Sequence, residues 1–347
     1  MSEVVPSAGK GRQGFSLLQQ ILTILVIVVC STTITTTKVA ATTAVTEEHP
    51  SADVIQVRDQ LDSDGYVVLR NFFREQAPLL QEWKSFSEVY FYRVFEQLHK
   101  EKKIVSPKPI QVELSDDKRS IKSAYYTMET GPENGYSEIV HRFPGRYELS
   151  LQRSAVASTT NKKESLLLYD MPDLDPIVNK LKPYVLSIFK QHPMVASSSI
   201  NTKNPQNEFD TEEFNLIYSF LISTTGSKEQ RWHTDSGHLS DDEYLPSHCF
   251  NVFIPLVDIT MENGPTDLVK SSHIQTLDKN RGKKFAVTAN DAIAPELNVG
   301  DALLFDFRTL HRGLANKSTI NRPILVLTFS IPSFTDTLNW PIGGMFD

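Results

Sequence analysis

Beyond Thr211 the chain breaks into short apolar runs with turns between them: Phe214–Ile222, Phe250–Ile259, Ala302–Phe307 and Pro323–Ile331. Each is of strand length and rich in Phe, Ile, Val and Leu, and no helix-length periodic stretch separates them. Strands of that kind bury their apolar side chains by stacking as two sheets or closing on themselves. The expectation is an all-β sandwich or jelly roll with its core at about residues 211–335.

The preceding segments carry helical signals. Val54–Leu61 has helical spacing and is closed by the turn Asp62-Ser63-Asp64-Gly65, after which Tyr66–Leu69 reads as a strand. From Glu75 to about Lys103, Leu79, Leu80, Trp83, Phe86, Val89, Tyr90, Val94 and Leu98 form a stripe expected to pack on the core. A further helix is expected over Pro176–Lys190. Between them, Ile104–Thr160 is punctuated by Pro107, Pro109, Pro132, Gly135, Pro144 and Gly145, and reads as lid-like loops and short strands. The fold class is therefore mixed α+β, dominated by β.

At 347 residues, 40% hydrophobic and 22% charged, the chain can bury one large core, assigned to residues 51–347. Its formal charge of -7, with no long Lys/Arg stripe, argues against a nucleic-acid partner. The two cysteines, Cys30 and Cys249, form no Cys-x-x-Cys pair and build no disulfide framework. Residues 1–50 are different in kind. Lys10 and Arg12 precede an apolar run over 17–30, a Thr-rich stretch follows, and no acidic residue stands between Glu3 and Glu47. This is the pattern of a cleaved signal peptide or a signal anchor, hence a secretory route or attachment to a membrane through residues 17–30. An organelle transit peptide is the alternative, and a disordered tail with an apolar patch is the plain reading.

Chemistry is concentrated at Arg231-Trp232-His233-Thr234-Asp235. Side chains alternate faces along an extended segment, so His233 and Asp235 point the same way and can grip one ion from one side. His311, after the strand-like Gly300–Phe307, is the candidate third ligand. Two imidazoles and one carboxylate leave three positions open, the facial triad of non-haem Fe(II) oxygenases. Zinc hydrolases use similar ligands, so the triad alone leaves the metal undecided. Arg322 opens the next strand, where a guanidinium can hold a dicarboxylate bidentately. A cosubstrate chelating iron at one end and pairing with arginine at the other is 2-oxoglutarate.

With the turn Val257-Asp258-Ile259-Thr260-Met261-Glu262-Asn263-Gly264-Pro265, then Ser271-Ser272-His273, Gly300-Asp301, Asn316 and the upstream Asp64–Leu69, these residues give a pattern. From about residue 55 to about 335 the chain resembles the phytanoyl-CoA dioxygenase family of Fe(II)/2-oxoglutarate-dependent oxygenases. The resemblance implies a double-stranded β-helix, a cupin-like jelly roll with flanking N-terminal helices. It implies Fe(II) held by His233, Asp235 and His311, Arg322 anchoring 2-oxoglutarate, and O2 as the other cosubstrate. The implied reaction hydroxylates a C–H bond of a small-molecule or lipid-like substrate and releases succinate and CO2. Related halogenases replace the carboxylate with a small residue to admit a halide; Asp235 fills that place. Two departures stand out: Ser271 where the family commonly has Gly, and no Ser or Thr at position 324, where several related oxygenases place a second carboxylate contact.

Two other functions fit the same residues: a non-catalytic β-helix protein that binds metal or ligand, and a cupin-like zinc hydrolase. Among the remaining side chains, Trp232 is read as core before pocket wall. His49, His99, His141, His192, His238, His248 and His273 are read as surface or hydrogen-bonded. Arg142 and Arg146 fit a substrate mouth and surface salt bridges equally. Lys279, Arg281, Lys283 and Lys284 are read as a solvated loop before an acyl-CoA phosphate site. The sequon Asn316-Lys317-Ser318 sits too near His311 to favour glycosylation. Specificity is expected in segments 104–165 and 236–248.

Overall fold

The computed structural model describes residues 51–101, 104–113, 120–128, 135–136, 138–151, 170–196, 213–275 and 292–340. The apolar run over 17–30 and the basic loop at 279–284 lie outside them. No described helix is long and apolar enough to cross a membrane.

Helix α1 (Ala52–Asp64) ends on Gly65, whose φ of 81° lets the chain reverse into strand β1 (Tyr66–Leu69). Helix α2 (Ala77–Lys100) has Pro78 in its first turn, where the missing N–H costs nothing. Its buried stripe of Leu80, Trp83, Phe86, Tyr90, Val94 and Leu98 matches the expected spacing, whereas Val89 faces solvent. Helix α3 (Asp175–Phe189) buries Ile177, Leu181, Val185 and Ile188.

The strands are β2 (Ile104–Glu113), β3 (Ser120–Met128), β4 (Gly135–Tyr136), β5 (Ile139–Phe143), β6 (Arg146–Ser150), β7 (Asn215–Ser223), β8 (Cys249–Pro255), β9 (Thr266–Val269), β10 (Ala292–Ile293), β11 (Ala302–Asp306), β12 (His311–Gly313) and β13 (Arg322–Ser330). A large antiparallel sheet runs β1-β11-β8-β13-β7-β6-β5-β4 and a small one β10-β9-β12; β2 and β3 pair by themselves. Two sheets with a shared interior make the expected jelly roll. The stretch after Ile104, expected as lid-like loops and short strands, does carry the short strands β4–β6, while β2 and β3 are longer than expected. Pro107 and Pro109 lie within β2, whose pairing with β3 shifts register between Val105 and Lys108, and Pro144-Gly145 forms the tight turn from β5 to β6, with Gly145 at φ 78°. The large sheet thus also draws on β1 and β4–β6, outside residues 211–335.

The period of two along each strand sorts side chains between two cores. Phe220 of β7, Val252 of β8, Leu304 of β11 and Leu325, Leu327 and Phe329 of β13 join the helix-side core. There Trp83, Phe86 and Tyr90 of α2 pack around Phe220, and Phe189 of α3 packs on Phe250. The alternate residues Phe253, Leu303, Phe305, Ile324 and Val326 face the small sheet with Leu268 of β9. Arg322 and Thr328 share the parity of Ile324 and Val326, so they face this interior too.

The Asn263-Gly264-Pro265 turn has a packing reason. Asn263 Nδ2 donates to the Asp258 carbonyl and its Oδ1 accepts from Thr260 N–H, while Gly264 sits at φ 81°. A Cβ at Gly264 would lie 2.4 Å from the backbone oxygens of Leu314 and Ala315, just past the strand that carries His311. Ser271 holds the left-handed conformation (φ 57°) that the family's usual Gly adopts freely, and its hydroxyl donates to the Ser63 carbonyl at 2.7 Å. Gly264→Ala is expected to cost roughly 1–3 kcal/mol in denaturant unfolding. The control Gly237→Ala, with no atom within 4 Å of its added carbon, should change stability by about 0.5 kcal/mol or less.

Candidate metal centre

His233 and His311 meet through a two-way main-chain bridge: His233 N–H donates to the His311 carbonyl at 3.0 Å and His311 N–H to that of His233 at 2.9 Å. Asp235 N–H donates to the Phe307 carbonyl at 2.8 Å, tying the same segment to the turn before β12. Three side chains far apart in sequence are thereby brought to one point. Asp235 Oδ1 lies 4.0 Å from His233 Nε2 and 3.7 Å from His311 Nε2, and the three ligand atoms fall within 4.8 Å of one another.

The hydrogen bonds fix the chemistry of that set. His233 Nδ1 is 2.8 Å from the Arg231 carbonyl and His311 Nδ1 is 2.9 Å from the Thr309 carbonyl. A carbonyl only accepts, so each Nδ1 carries the proton and each Nε2 keeps its lone pair toward Asp235. Burial first, then the charge of His311, pulls the His233 pKa below the ordinary imidazole value, with Asp235 acting the other way. Neutral imidazoles with aimed lone pairs and a carboxylate oxygen are the donor set that a divalent metal needs.

These groups line a cavity of about 340 Å³, and Arg322 lines the same cavity. The guanidinium is fully buried, and only its Nη2 is engaged, donating to Ser223 Oγ at 2.8 Å. Its Nε and Nη1 have no hydrogen-bond partner among the described residues. Arg146, on β6, is also fully buried and donates through Nη1 to the same Ser223 hydroxyl at 2.7 Å, through Nε to the Lys228 carbonyl at 3.2 Å, and to the Leu314 carbonyl. Ser223 stands opposite both arginines in the sheet register, which explains the convergence. Gly313 makes room, since a Cβ there would meet Arg146 Nη1 at 2.4 Å. Burial, then the charge of Arg146, pushes the Arg322 pKa well below the usual guanidinium range. A carboxylate brought to the unengaged Arg322 donors would reverse that direction, so the Arg322 guanidinium fits the far end of a dicarboxylate.

The match to known families decides what kind of site this is. Residues 61–324, well over half of the chain, match the family model described as phytanoyl-CoA dioxygenase (PhyH). The chain belongs to the phytanoyl-CoA dioxygenase family. As a phytanoyl-CoA dioxygenase-family protein it is an Fe(II)/2-oxoglutarate-dependent oxidoreductase, with iron and 2-oxoglutarate as its cofactor and cosubstrate; this favours iron over zinc and catalysis over mere binding. Among solved structures it is similar to AviO1 from Streptomyces viridochromogenes Tue57, at 15% identity over 83% of this chain and 99% of that one, with a TM-score of 0.42. It is also similar to EvdO2 from Micromonospora carbonacea var. aurantiaca complexed with 2-oxoglutarate (15% identity, 82% and 96% coverage, TM-score 0.41). A third is the non-heme alpha ketoglutarate dependent epimerase SnoN from nogalamycin biosynthesis (13% identity, 84% and 94% coverage, TM-score 0.42). These likenesses are distant, and membership rests on the match over 61–324.

Several side chains lie elsewhere than the sequence suggests. Trp232 is neither core nor pocket wall: it is half-buried under the Arg312 guanidinium, 4.5 Å from its ring centre. Of the two readings given for His192, His248 and His273, the hydrogen-bonded one holds: all three are buried and each makes a hydrogen bond, and burial lowers His248 to about 4. Arg146 is interior rather than a surface ion pair, because the parity of β6 turns it with Glu148 toward the cavity. Arg142 does line the cavity, held by Glu148 Oε2 at 2.6 Å and stacked 5.3 Å from the centre of Trp340. The Asn316 side chain is buried, donating to the carbonyls of Ser223 and Ile320, which leaves it no room for a glycan. Ser223, Asn251 and Thr328 drew no notice in the sequence; their inward strand parity is the signal that could have found them.

Asp306 and Arg308 lock the turn that delivers His311. Arg308 donates to both carboxylate oxygens at 2.8 and 2.7 Å, and both side chains are 1% exposed. Burial pushes the Asp306 carboxyl up, but Arg308, by charge and hydrogen bond, overrides it and holds the value down at about 2. The folded-state value lies below the unfolded one of about 3.9, so the pair's contribution is complete above that pH and disappears as pH falls through about 2. Thermal melting should show the melting temperature falling between about pH 4 and 2, a slope that Asp306→Asn flattens while costing roughly 3–5 kcal/mol at neutral pH by leaving Arg308 unpaired.

Proposed function

We propose that this protein hydroxylates a C–H bond of a small-molecule or lipid-like substrate, coupled to conversion of 2-oxoglutarate to succinate and CO2. His233, Asp235 and His311 hold the iron through two Nε2 atoms and Oδ1. Arg322, with Arg146 beside it, takes the far carboxylate of 2-oxoglutarate. The observation that carries this reading is the Arg322 guanidinium, buried in the same cavity as the triad with Nε and Nη1 unengaged. Leaving such donors unsatisfied costs on the order of 1–3 kcal/mol or more, a cost that a bound carboxylate removes.

Bound together, iron and 2-oxoglutarate supply the activation of O2, one oxygen atom going to succinate and the other to the substrate. The chain's own residues position and shield. Phe253, Phe307 and Val326 give the cavity apolar walls that keep water from the reacting atoms, while Arg142 and Trp340 stand at the same cavity as candidates for substrate contact. No side chain is assigned as a separate acid or base. Asp235 supports hydroxylation over halogenation, because its carboxylate takes the place a halide would need. On composition, residues 1–50 are proposed to direct the protein to the secretory route or anchor it through residues 17–30.

Purified protein given Fe(II), O2 and 2-oxoglutarate should release succinate, weakly by itself and faster with the right member of lipid, acyl-CoA, alkaloid or peptide pools; His311→Ala should abolish release. Arg322→Met should raise the KM for 2-oxoglutarate by roughly thirtyfold or more, the equivalent of a lost buried charge contact of about 2–5 kcal/mol. Succinate release that is unchanged in either variant would contradict the assignment.

A further inference from the structure

The carboxylate of Asp235 is held by Asn251 of the large sheet, and Asn251 is itself held by Thr328 of the neighbouring strand. Asn251 Nδ2 donates to Asp235 Oδ2 at 2.8 Å, and Thr328 Oγ1 donates to Asn251 Oδ1 at 2.6 Å. The direction of this relay is fixed by chemistry. An ionised carboxylate only accepts, so the amide nitrogen of Asn251 must face it; the amide oxygen then faces Thr328, whose hydroxyl must be the donor. Asn251 and Thr328 are direct partners across the β8–β13 ladder, and Asn251 is 6% exposed. On the main-chain side, Asn339 Nδ2 donates to the Asp235 carbonyl at 3.2 Å. With Oδ2 engaged, it is Oδ1 that faces both imidazole Nε2 atoms, at 4.0 and 3.7 Å.

We propose that the Thr328–Asn251 relay is a positioning device that keeps Asp235 a one-oxygen ligand, thereby preserving the number of open positions that the reaction needs. This rests on the triad holding the metal. Three protein donors on a six-coordinate ion leave three positions, two for the chelating end of 2-oxoglutarate and one for O2. A carboxylate free to turn would bring its second oxygen onto the metal and close one of them. Asn251 prevents this by holding Oδ2, and Thr328 prevents Asn251 from rotating. Neither residue is a metal ligand in this account.

The test is titration of the full chain with Mn(II), followed by titration of the Mn(II)-saturated protein with 2-oxoglutarate, both by calorimetry. Asn251→Ala should weaken Mn(II) binding by roughly ten- to a hundredfold, the usual range for a group that orients a ligand. It should also weaken 2-oxoglutarate binding about tenfold even at saturating Mn(II), because the freed Oδ2 competes for the chelate position. Thr328→Val, nearly isosteric, should shift both constants in the same direction by a smaller factor, while Thr328→Ser, which keeps the hydroxyl, should stay within about twofold of the parent. Melting of each metal-free variant guards against mere unfolding, and Thr328→Val is the variant that carries the test if Asn251→Ala does not fold. Parent-like constants for both Mn(II) and 2-oxoglutarate in Asn251→Ala, or in Thr328→Val, would overturn the relay with the metal site intact. His311→Ala binding Mn(II) as the parent does would overturn the triad itself, and the relay with it.

Discussion

The site depends on a pair of main-chain hydrogen bonds between His233 and His311. They join an irregular segment to the short strand β12, and through β12 to the small sheet. Because that bridge is backbone to backbone, the two imidazoles are brought together by the fold itself rather than by their own attraction, which would be repulsive were both protonated. The Nδ1 hydrogen bonds to the carbonyls of Arg231 and Thr309 then set the tautomers. Geometry and protonation state are settled by groups that take no part in the chemistry.

A protein interior is a poor place for charge, and this fold buries Arg146, Arg322, Asp306 and Arg308 with almost no exposure, the two arginines beside the cavity and the Asp306–Arg308 pair outside its lining. Two solutions coexist there. Asp306 and Arg308 neutralise each other through a bidentate contact and stiffen the turn leading to His311. Arg322 instead carries unengaged donors toward the cavity, with Arg146 across Ser223. A structural ion pair closes on itself; a binding site leaves its charge open to a ligand.

Much of this is legible in the sequence, for reasons that can be named. The α2 stripe is read by its helical period, and the strands after Thr211 as short apolar runs between turns, since strands buried on both faces, as β8 is, are apolar throughout. His233 and Asp235 are found because their spacing is local, and His311 and Arg322 because the motifs around them resemble a family. Asn251 carries no local signal and Arg146 stays open between two readings, because their roles depend on pairing across strands distant in sequence, Ser223 opposite Arg146 and Thr328 opposite Asn251. Which histidines are buried and hydrogen-bonded rather than on the surface is not legible, because burial beside Arg308 and Asp306 is a tertiary fact that no local pattern announces. Trp232 was read by its bulk, whereas its place under Arg312 follows from the edge position of the segment.

The proposed cavity holds a metal on His233, Asp235 and His311 and the far carboxylate of 2-oxoglutarate on Arg322. The most direct measurement is an anaerobic crystal structure with Fe(II) and 2-oxoglutarate, using anomalous scattering to place the iron. The expected result is iron bonded to the two Nε2 atoms and Asp235 Oδ1, with the cosubstrate's distal carboxylate against Arg322 Nε and Nη1. Iron bound away from these three residues, or a distal carboxylate that leaves Arg322 untouched, would contradict it.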